Sequence, residues 1–596
     1  MNGWLYGISL QKPIAGSRSL IILFQGMNDM KKENAFVKDL IKRMTLDQKI
    51  GALLTLGFAG AVPRQHIYDY ITKYHCGGLR LSTASRVFGN YVDPKTSKAV
   101  VSVATNRGVK YTNAPICTAS EYKAVLDELQ SVARQRPLSL PLHFSYDQEG
   151  GTSADFFFGG VNIFTKPMGL RATNDPKMAY EVARAISLQS KAVGFSWIHS
   201  PVLDVNTDPR NPEIYTRSYS DNAEEVAAYA EQTCRGFKEG KMIATGKHFP
   251  GRGHSDVDAH YQVPVIDVDR ETMLNRELLP YRKLIEKDLL PSIMIAHSIF
   301  PAFDPDDIAT VSKPILTGLF REELGFDGVI TTDSMTMGAV ATRYGVANAC
   351  AMSLEAGADL VLMKAEGPLV PETVEAIRSF VLSGRIPMEE LDKKVYRVLN
   401  TKYEYGLFYD QDDHDTVPEA VINDKAIVNL SKQVAKRSVL ICRDTENRLP
   451  IDPNKKILVI EQKVKNYNSF RWHSGILFEG CCKYSSNVDY LETAYTWDEK
   501  DLENITREIA NYDTVVITNY FIRGSLCNKE AIEKIIDSGK NVIVVTNTPY
   551  EEISIPKNAK SVIVTFATSP DNIEVVAGTL YGKIIPEGVW PVSYHA

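Results

Sequence analysis

Eight short apolar runs rich in β-branched residues recur before about residue 365. They are Ile50–Phe58, Gly78–Leu81, Leu140–Tyr146, Phe195–Val205, Met242–Phe249, Ser292–Ile299, Gly328–Thr332 and Leu360–Met363. Between them lie stretches such as Ser120–Gln135, Pro176–Val193 and Glu224–Gly240, whose apolar residues return every three or four positions. That spacing predicts amphipathic helices. Apolar runs alternating with helices predict parallel strands joined by crossover helices, and eight of them is the number that closes a (β/α)8 barrel. Two further helices are expected at Pro371–Leu382 and Met388–Tyr405, the second stopped by Gly406.

The pattern breaks at Gln411–Asp424, a polar and acidic stretch containing Pro418, and this is expected to be an exposed linker. It then restarts, with runs at Ile457–Ile460, Thr514–Thr518, Asn541–Thr546 and Ser561–Phe566 and helices at Asp501–Ala510 and Lys529–Ser538. The fold class expected is α/β: an N-terminal (β/α)8 TIM-like barrel over residues 31–410, followed by a smaller α/β sandwich domain over 425–596. Residues 1–30 are expected to be a poorly ordered extension.

Composition narrows the function. Of 596 residues, 44% are hydrophobic and 23% charged, which excludes a disordered, collagenous or coiled-coil chain. With 67 Lys and Arg against 73 Asp and Glu, the net charge is −6, and neither sign gathers into a long run. Nucleic acid is therefore not an expected partner. The longest apolar run near the start, Leu20–Phe24, is too short for a bilayer span or for the ~7 residues of a secretory core, so a cytoplasmic protein without a membrane partner is expected. The eight cysteines form no CxxC or Cys/His metal pattern and are expected to be reduced thiols.

A barrel's chemistry sits at the C-terminal ends of its strands. Four runs end suggestively: the third in Asp147-Gln148-Glu149-Gly150-Gly151, the fifth in Lys247-His248-Phe249-Pro250-Gly251, the sixth in His297-Ser298 and the seventh in Asp333-Ser334. The segment Lys247–His260 holds three further histidine and aspartate positions after its glycines, namely His254, Asp256 and Asp258, and ends at His260. Zinc ligands come at i, i+4 on a helix or in spaced pairs with cysteine, and this loop has neither spacing, so no metal is expected.

These segments, with Ala296-His297 and Gly325–Ala339, resemble glycoside hydrolase family 3, and within it the β-N-acetylglucosaminidase branch; the resemblance runs from about Met44 to Phe408 and more loosely through Gly588–Val592. It implies a retaining glycosidase without a cofactor, acting on a small carbohydrate as a monomer or homodimer. Asp333 matches the nucleophile, and Asp258 with His260 matches the acid/base dyad. Asp147, Arg217, Lys247 and His248 match sugar-binding positions. A histidine suits proton transfer, because its ordinary pKa of about 6.5 lies near neutrality and a neighbouring carboxylate stabilises its charged form. Each residue also has a plainer use. Asp333 could cap a helix over Ser334–Val340, Lys247 could pair with a barrel carboxylate, His248 could be a satisfied core histidine, and Phe156–Phe158 could be core or a sugar-stacking surface.

The chain departs from the branch at three places. Ala259 replaces a serine inside the dyad, Gly251-Arg252-Gly253-His254-Ser255 replaces Gly-His-Gly-Asp-Thr, and Thr152 replaces an arginine after Gly151. Rival readings are a β-glucosidase whose acid is a second-domain glutamate (Glu479, Glu551 or Glu552), a phosphorylase, and a sugar-binding barrel without catalysis.

Overall fold

The computed structural model describes residues 34–82, 90–92, 99–101, 117–259, 262–364, 369–409, 416–463, 475–522 and 527–593. The N-terminal extension therefore lies outside the described residues. Among those described, eight strands form one ring: β1 Leu54–Ala59, β2 Gly78–Ser82, β3 His143–Tyr146, β4 Trp197–Ile198, β5 Ile243–Phe249, β6 Ser292–Ile295, β7 Val329–Thr332 and β8 Val361–Met363. β1 to β7 pair in parallel in chain order, β8 pairs with β1, and a parallel bridge between Thr331 and Leu360 closes β7 onto β8. A helix follows each strand, as the alternation predicted. Helix Pro176–Val193 shows why its ends were legible: Asp175 accepts the Lys177 N–H, Pro176 occupies the first turn, and Gly194 ends the helix at φ 109°.

Both faces of these strands are covered, which is why they read as unbroken apolar runs. The interior carries a polar and aromatic layer near its floor. His143 Nε2 lies 2.8 Å from Thr55 Oγ1. Its imidazole occupies the space a Cβ at Gly78 would need, 2.2 Å away, and packs against Trp197 with ring centres 4.7 Å apart. The indole N–H of Trp197 donates to Thr245 Oγ1 at 2.8 Å.

Most runs were longer than their strands. The first three residues of Ile50–Phe58 belong to helix Leu46–Ala52, which Thr45 and Gln48 begin with a capping box. A buried helix and a buried strand are equally apolar, so only that box marked the boundary. β4 stops short of Ser200-Pro201, because proline brings no N–H to a ladder, and pairing resumes as a bridge between Val202 and Lys247. Ile299 leaves β6 for a hairpin of Ile299–Phe300 with Asp304–Ile308.

The second domain is a six-stranded sheet of β9 Leu440–Asp444, β10 Ile457–Lys463, β11 Val488–Ala494, β12 Thr514–Thr518, β13 Asn541–Thr546 and β14 Ser561–Val564. Its order is β9-β14-β13-β12-β10-β11, parallel except for β9 against β14. Separate apolar clusters on its two faces make it a three-layer sandwich. The edge strands β9 and β11 were not predicted, because edges carry polar side chains such as the half-buried Arg443 and the exposed Glu492 in place of a continuous apolar run.

The stretch expected to be a linker contains helix Pro418–Ile422, which is not exposed throughout: Glu419 accepts the Ser120 N–H at 2.9 Å and Asn162 Nδ2 donates to the Ile422 carbonyl at 2.7 Å. The sandwich docks on loops that follow β3 and β4. Met168, Ala172 and Tyr215 of the barrel share one apolar cluster with Phe521, Tyr550 and Phe566. Tyr215 meets Phe521 edge to face at 4.9 Å, and Asn206 Nδ2 donates to the Tyr550 hydroxyl at 2.9 Å. Truncating Tyr550 to alanine removes a fully buried ring and leaves Asn206 without that acceptor. The expected cost is about 3–5 kcal/mol, read from urea unfolding followed by tryptophan fluorescence. An unchanged midpoint would show that the seam draws its stability elsewhere.

Candidate active site

The chain leaves β3 at Tyr146 and turns through Asp147–Gly151 into a buried array of alternating charges. Arg80, an arginine inside the apolar run of β2, pairs with Asp147 and with Asp155 at 2.6 Å. Lys247 Nζ, at the end of β5, lies 2.9 Å from Asp147 Oδ1 and 2.6 Å from Glu149 Oε1. Arg217 grips both Glu149 oxygens, at 2.7 and 2.8 Å. Lys364, after β8, stands 3.6 Å from Asp147. Burial alone would push these carboxyls up, but Arg80 and Lys247 hold Asp147 well below the ordinary range, and Arg217 and Lys247 do the same for Glu149. Both are carboxylates at any pH the fold meets. His199, 3.6 Å from Asp147, is driven down to about 4 by burial and stays neutral near pH 7.

A second group of contacts fixes the path of the chain beyond β5. Asp204, fully buried after β4, accepts from the ring Nδ1 of His248 at 2.7 Å and from the backbone N–H of Arg252 at 2.8 Å. Its burial raises it to about 6 against the pull of Arg252. Asn211 Nδ2 donates to the carbonyls of Arg252 and Gly253 at 3.0 and 3.1 Å. Gly253 lies so close to the neighbouring loop that a Cβ there would stand 1.8 Å from the Val205 carbonyl oxygen. Phe249 stacks on Phe320 at 4.0 Å and meets Tyr281 edge on at 5.2 Å. Glu277 lies beneath Gly251, and burial raises its carboxyl to about 7.

The altered glycine-rich segment is a built part of this wall. The Arg252 guanidinium is buried, 2.9 Å from Glu213 and 3.6 Å from Asp333. His254 Nδ1 lies 3.0 Å from Thr207 Oγ1, and Ser255 Oγ donates to the Val257 carbonyl at 3.0 Å. Asp258 is buried, and the backbone N–H of Ala259 donates to Glu213 Oε2 at 3.2 Å. His260 lies outside the described residues.

Asp333 follows β7 directly. Its Oδ1 accepts the Ser334 N–H at 2.7 Å, and its side chain keeps 16% exposure. The next helix, Gly338–Tyr344, starts four residues after Ser334 with Met337 before it, so Asp333 is not its cap. Behind it, His297 Nε2 donates to the Ser334 carbonyl at 3.0 Å, and Nδ1 lies 2.6 Å from Thr310 Oγ1.

Of the sequence candidates, the fold joins Asp147, Lys247 and Arg217 in one network, His248 to it through neighbouring residues, and Asp333 to the β5 loop through Arg252. Lys247 does pair with barrel carboxylates, and His248 is a satisfied buried histidine. Phe156 lies in the core with Phe158 packed against it, so the core reading holds for both. Sequence reasoning missed Arg80, Asp155, Asp204, Glu213 and Arg252 as parts of the site. A charge within the apolar run Gly78–Leu81 was the available signal for Arg80. Among the described residues, no three His, Cys, Asp or Glu side chains are grouped to hold a metal, and no helix is long and apolar enough to cross a membrane.

Residues 45–401 match the family model described as the glycosyl hydrolase family 3 N-terminal domain. A β-hexosaminidase A of Pseudoalteromonas piscicida is 28% identical over 381 residues, covering 60% of this chain and 61% of that protein's length. A β-N-acetylglucosaminidase/β-glucosidase of Cellulomonas fimi is 24% identical over 591 residues, covering 94% and 95%. The solved structure of a family 3 β-N-acetylglucosaminidase from Paenibacillus sp. str. FPU-7 superposes with a TM-score of 0.79 at 27% identity, over 92% of this chain and 99% of that one.

The raised Glu277 carboxyl has a consequence for stability. Its folded pKa of about 7 lies above the ordinary value of 4.5, so the stability it contributes is present below that ordinary value and is lost as pH rises through 7. Glu277→Gln removes this loss. The melting temperature of the variant relative to wild type is expected to rise between pH 5 and pH 8; a constant difference would show that Glu277 does not change protonation in that window.

Proposed function

The chain belongs to glycoside hydrolase family 3, and on that premise we propose that it is a retaining exo-acting β-N-acetylglucosaminidase, with Asp333 as nucleophile and His260, supported by Asp258, as acid and base. The observation that carries this reading is the contrast among the carboxylates. Asp147 and Glu149 are each gripped by two cations within 2.9 Å, whereas Asp333 stands at a strand tip with one oxygen on a backbone N–H, a guanidinium 3.6 Å away and 16% of its side chain exposed. A nucleophile needs that combination: ionised, oriented and reachable.

The reaction follows in two displacements. An Asp333 oxygen bonds to the anomeric carbon as the glycosidic C–O bond breaks, and the departing oxygen takes a proton from the His260 imidazolium. The neutral imidazole then removes a proton from a water molecule, whose oxygen attacks the same carbon, and the Asp333 ester bond breaks. Sugar is released with its configuration retained. Asp258 stabilises the imidazolium, while Asp147, Arg217, Lys247 and His248 bind hydroxyls of the sugar. Buried polar groups that pair with a sugar hydroxyl discriminate sharply against sugars lacking one.

The Cellulomonas fimi relative, named for both activities and matched over most of its length, favours a second reading in which β-glucosides are also cleaved. Among the second-domain glutamates that a glucosidase would need as acid, Glu551 is drawn to Arg443 at 3.1 Å and Glu479 sits exposed on helix Ile476–Cys482.

A panel of chromogenic β-glycosides, with and without inorganic phosphate, tests the proposal. The N-acetylglucosaminide is expected to be preferred, with turnover independent of phosphate and lowered at least ~1,000-fold by Asp333→Asn. Preference for the glucoside overturns the substrate. Sugar 1-phosphate as the product overturns hydrolysis, undiminished turnover by Asp333→Asn overturns the nucleophile, and sugar binding without turnover overturns catalysis altogether.

A further inference from the structure

The nucleophile and the proposed proton donor are carried by different elements, β7 and the long loop after β5. A chain of polar contacts runs from Asp333 to Ala259 on that loop. Asp333 Oδ2 lies 3.6 Å from an Arg252 guanidinium nitrogen, the same nitrogen lies 2.9 Å from Glu213 Oε1, and Glu213 Oε2 accepts the N–H of Ala259, the residue between Asp258 and His260. Arg252 and Glu213 are both buried, with side chains 2% exposed, and Arg252 occupies a position where the branch has histidine. Among the described residues its Nε and Nη1 make no hydrogen bond, so its polar contacts run through Nη2. A buried guanidinium with unmet donors is costly to keep, and its retention here calls for a return.

We propose that Arg252 and Glu213 are a positioning pair: Arg252 holds Asp333 ionised and oriented, while Glu213 tempers that positive charge and anchors the loop carrying Asp258 through the Ala259 N–H. The inference rests on Asp333 being the nucleophile. Each acts through another residue, Arg252 through Asp333 and Glu213 through Arg252 and the Ala259 N–H.

Among the described residues, Arg252 has charged and titratable neighbours from several elements. Glu213 faces Arg252 from the loop after β4, and Asp204 of the same loop accepts the Arg252 backbone N–H. Arg217 and His248 lie within electrostatic reach of the same cluster, as do Tyr281 and Glu277 from the segment after β5. Against this background the two members of the pair act on Asp333 with opposite signs. Removing a positive charge at 3.6 Å makes the carboxylate harder to form; removing the negative charge behind it makes it easier.

The test is the pH dependence of kcat/KM. With Arg252→Met, the acid limb is expected to move up by about one pH unit, and with Glu213→Gln to move down. Arg252→Lys, which keeps the charge, restores the wild-type limb. A purely structural pair would lower kcat in both variants and leave the limb in place, and that result overturns the proposal, as does movement of both limbs in the same direction. Should Arg252→Met fail to fold, Glu213→Gln decides alone: a downward shift supports the pair and an unmoved limb overturns it. Asp333→Asn separates this from the underlying reading. Turnover that survives it removes the nucleophile assignment, whereas turnover abolished by it together with an unmoved limb removes only the positioning pair.

Discussion

The ammonium of Lys247 is the point on which the site turns. It is buried on the barrel axis side of β5 and is shared between two carboxylates from the β3 loop, Asp147 and Glu149. Removing one partner from such a pair leaves an uncompensated charge in a dry interior, a loss of about 3–5 kcal/mol. Each carboxylate has a further cation, Arg80 on one side and Arg217 on the other. The network therefore joins β2, the loop after β3, the loop after β4 and β5 across the mouth of the barrel. On the proposed reading, the sugar meets groups that are already paired with opposite charges.

The arrangement also explains how far the sequence could be read. The eight strands were visible because parallel strands covered on both faces are apolar without interruption, and the helix ends at Asp175, Pro176 and Gly194 carried their own local signals. The edges β9 and β11 were hidden because half of each strand faces solvent. Within the site, Asp147, Lys247, His248 and Asp333 could be picked out because they directly follow apolar runs. Arg217 came through a motif. Glu213 and Arg252 could not be recognised as a pair, because 39 positions separate them and their meeting depends on how two loops fold over the barrel. Pairings of this kind follow from tertiary structure, and local pattern contains no record of them.

The second domain enters the same logic from outside. Its sheet has its own apolar clusters on both faces, yet Tyr550, Phe521 and Phe566 reach into the loops after β3 and β4 that also supply Glu149, Arg217 and Glu213. Contacts at Asn206 and Ala172 add directional hydrogen bonds to that packing. Those loops are thus held between two hydrophobic bodies. The smaller domain thereby packs against the loops that shape the site.

The strapping of the β5 loop bears on how such a protein changes over generations. The Asp204 carboxylate receives main-chain N–H groups, Asn211 donates to main-chain carbonyls, and Gly253 is pressed against the Val205 carbonyl. Apart from the glycine, none of these fastenings reads the identity of a loop side chain. The route of the loop is inherited separately from its chemistry. Substitutions at positions 252, 254 and 255 therefore leave these main-chain fastenings in place, and what they change is the charge and the contacts that a fixed path presents to the site.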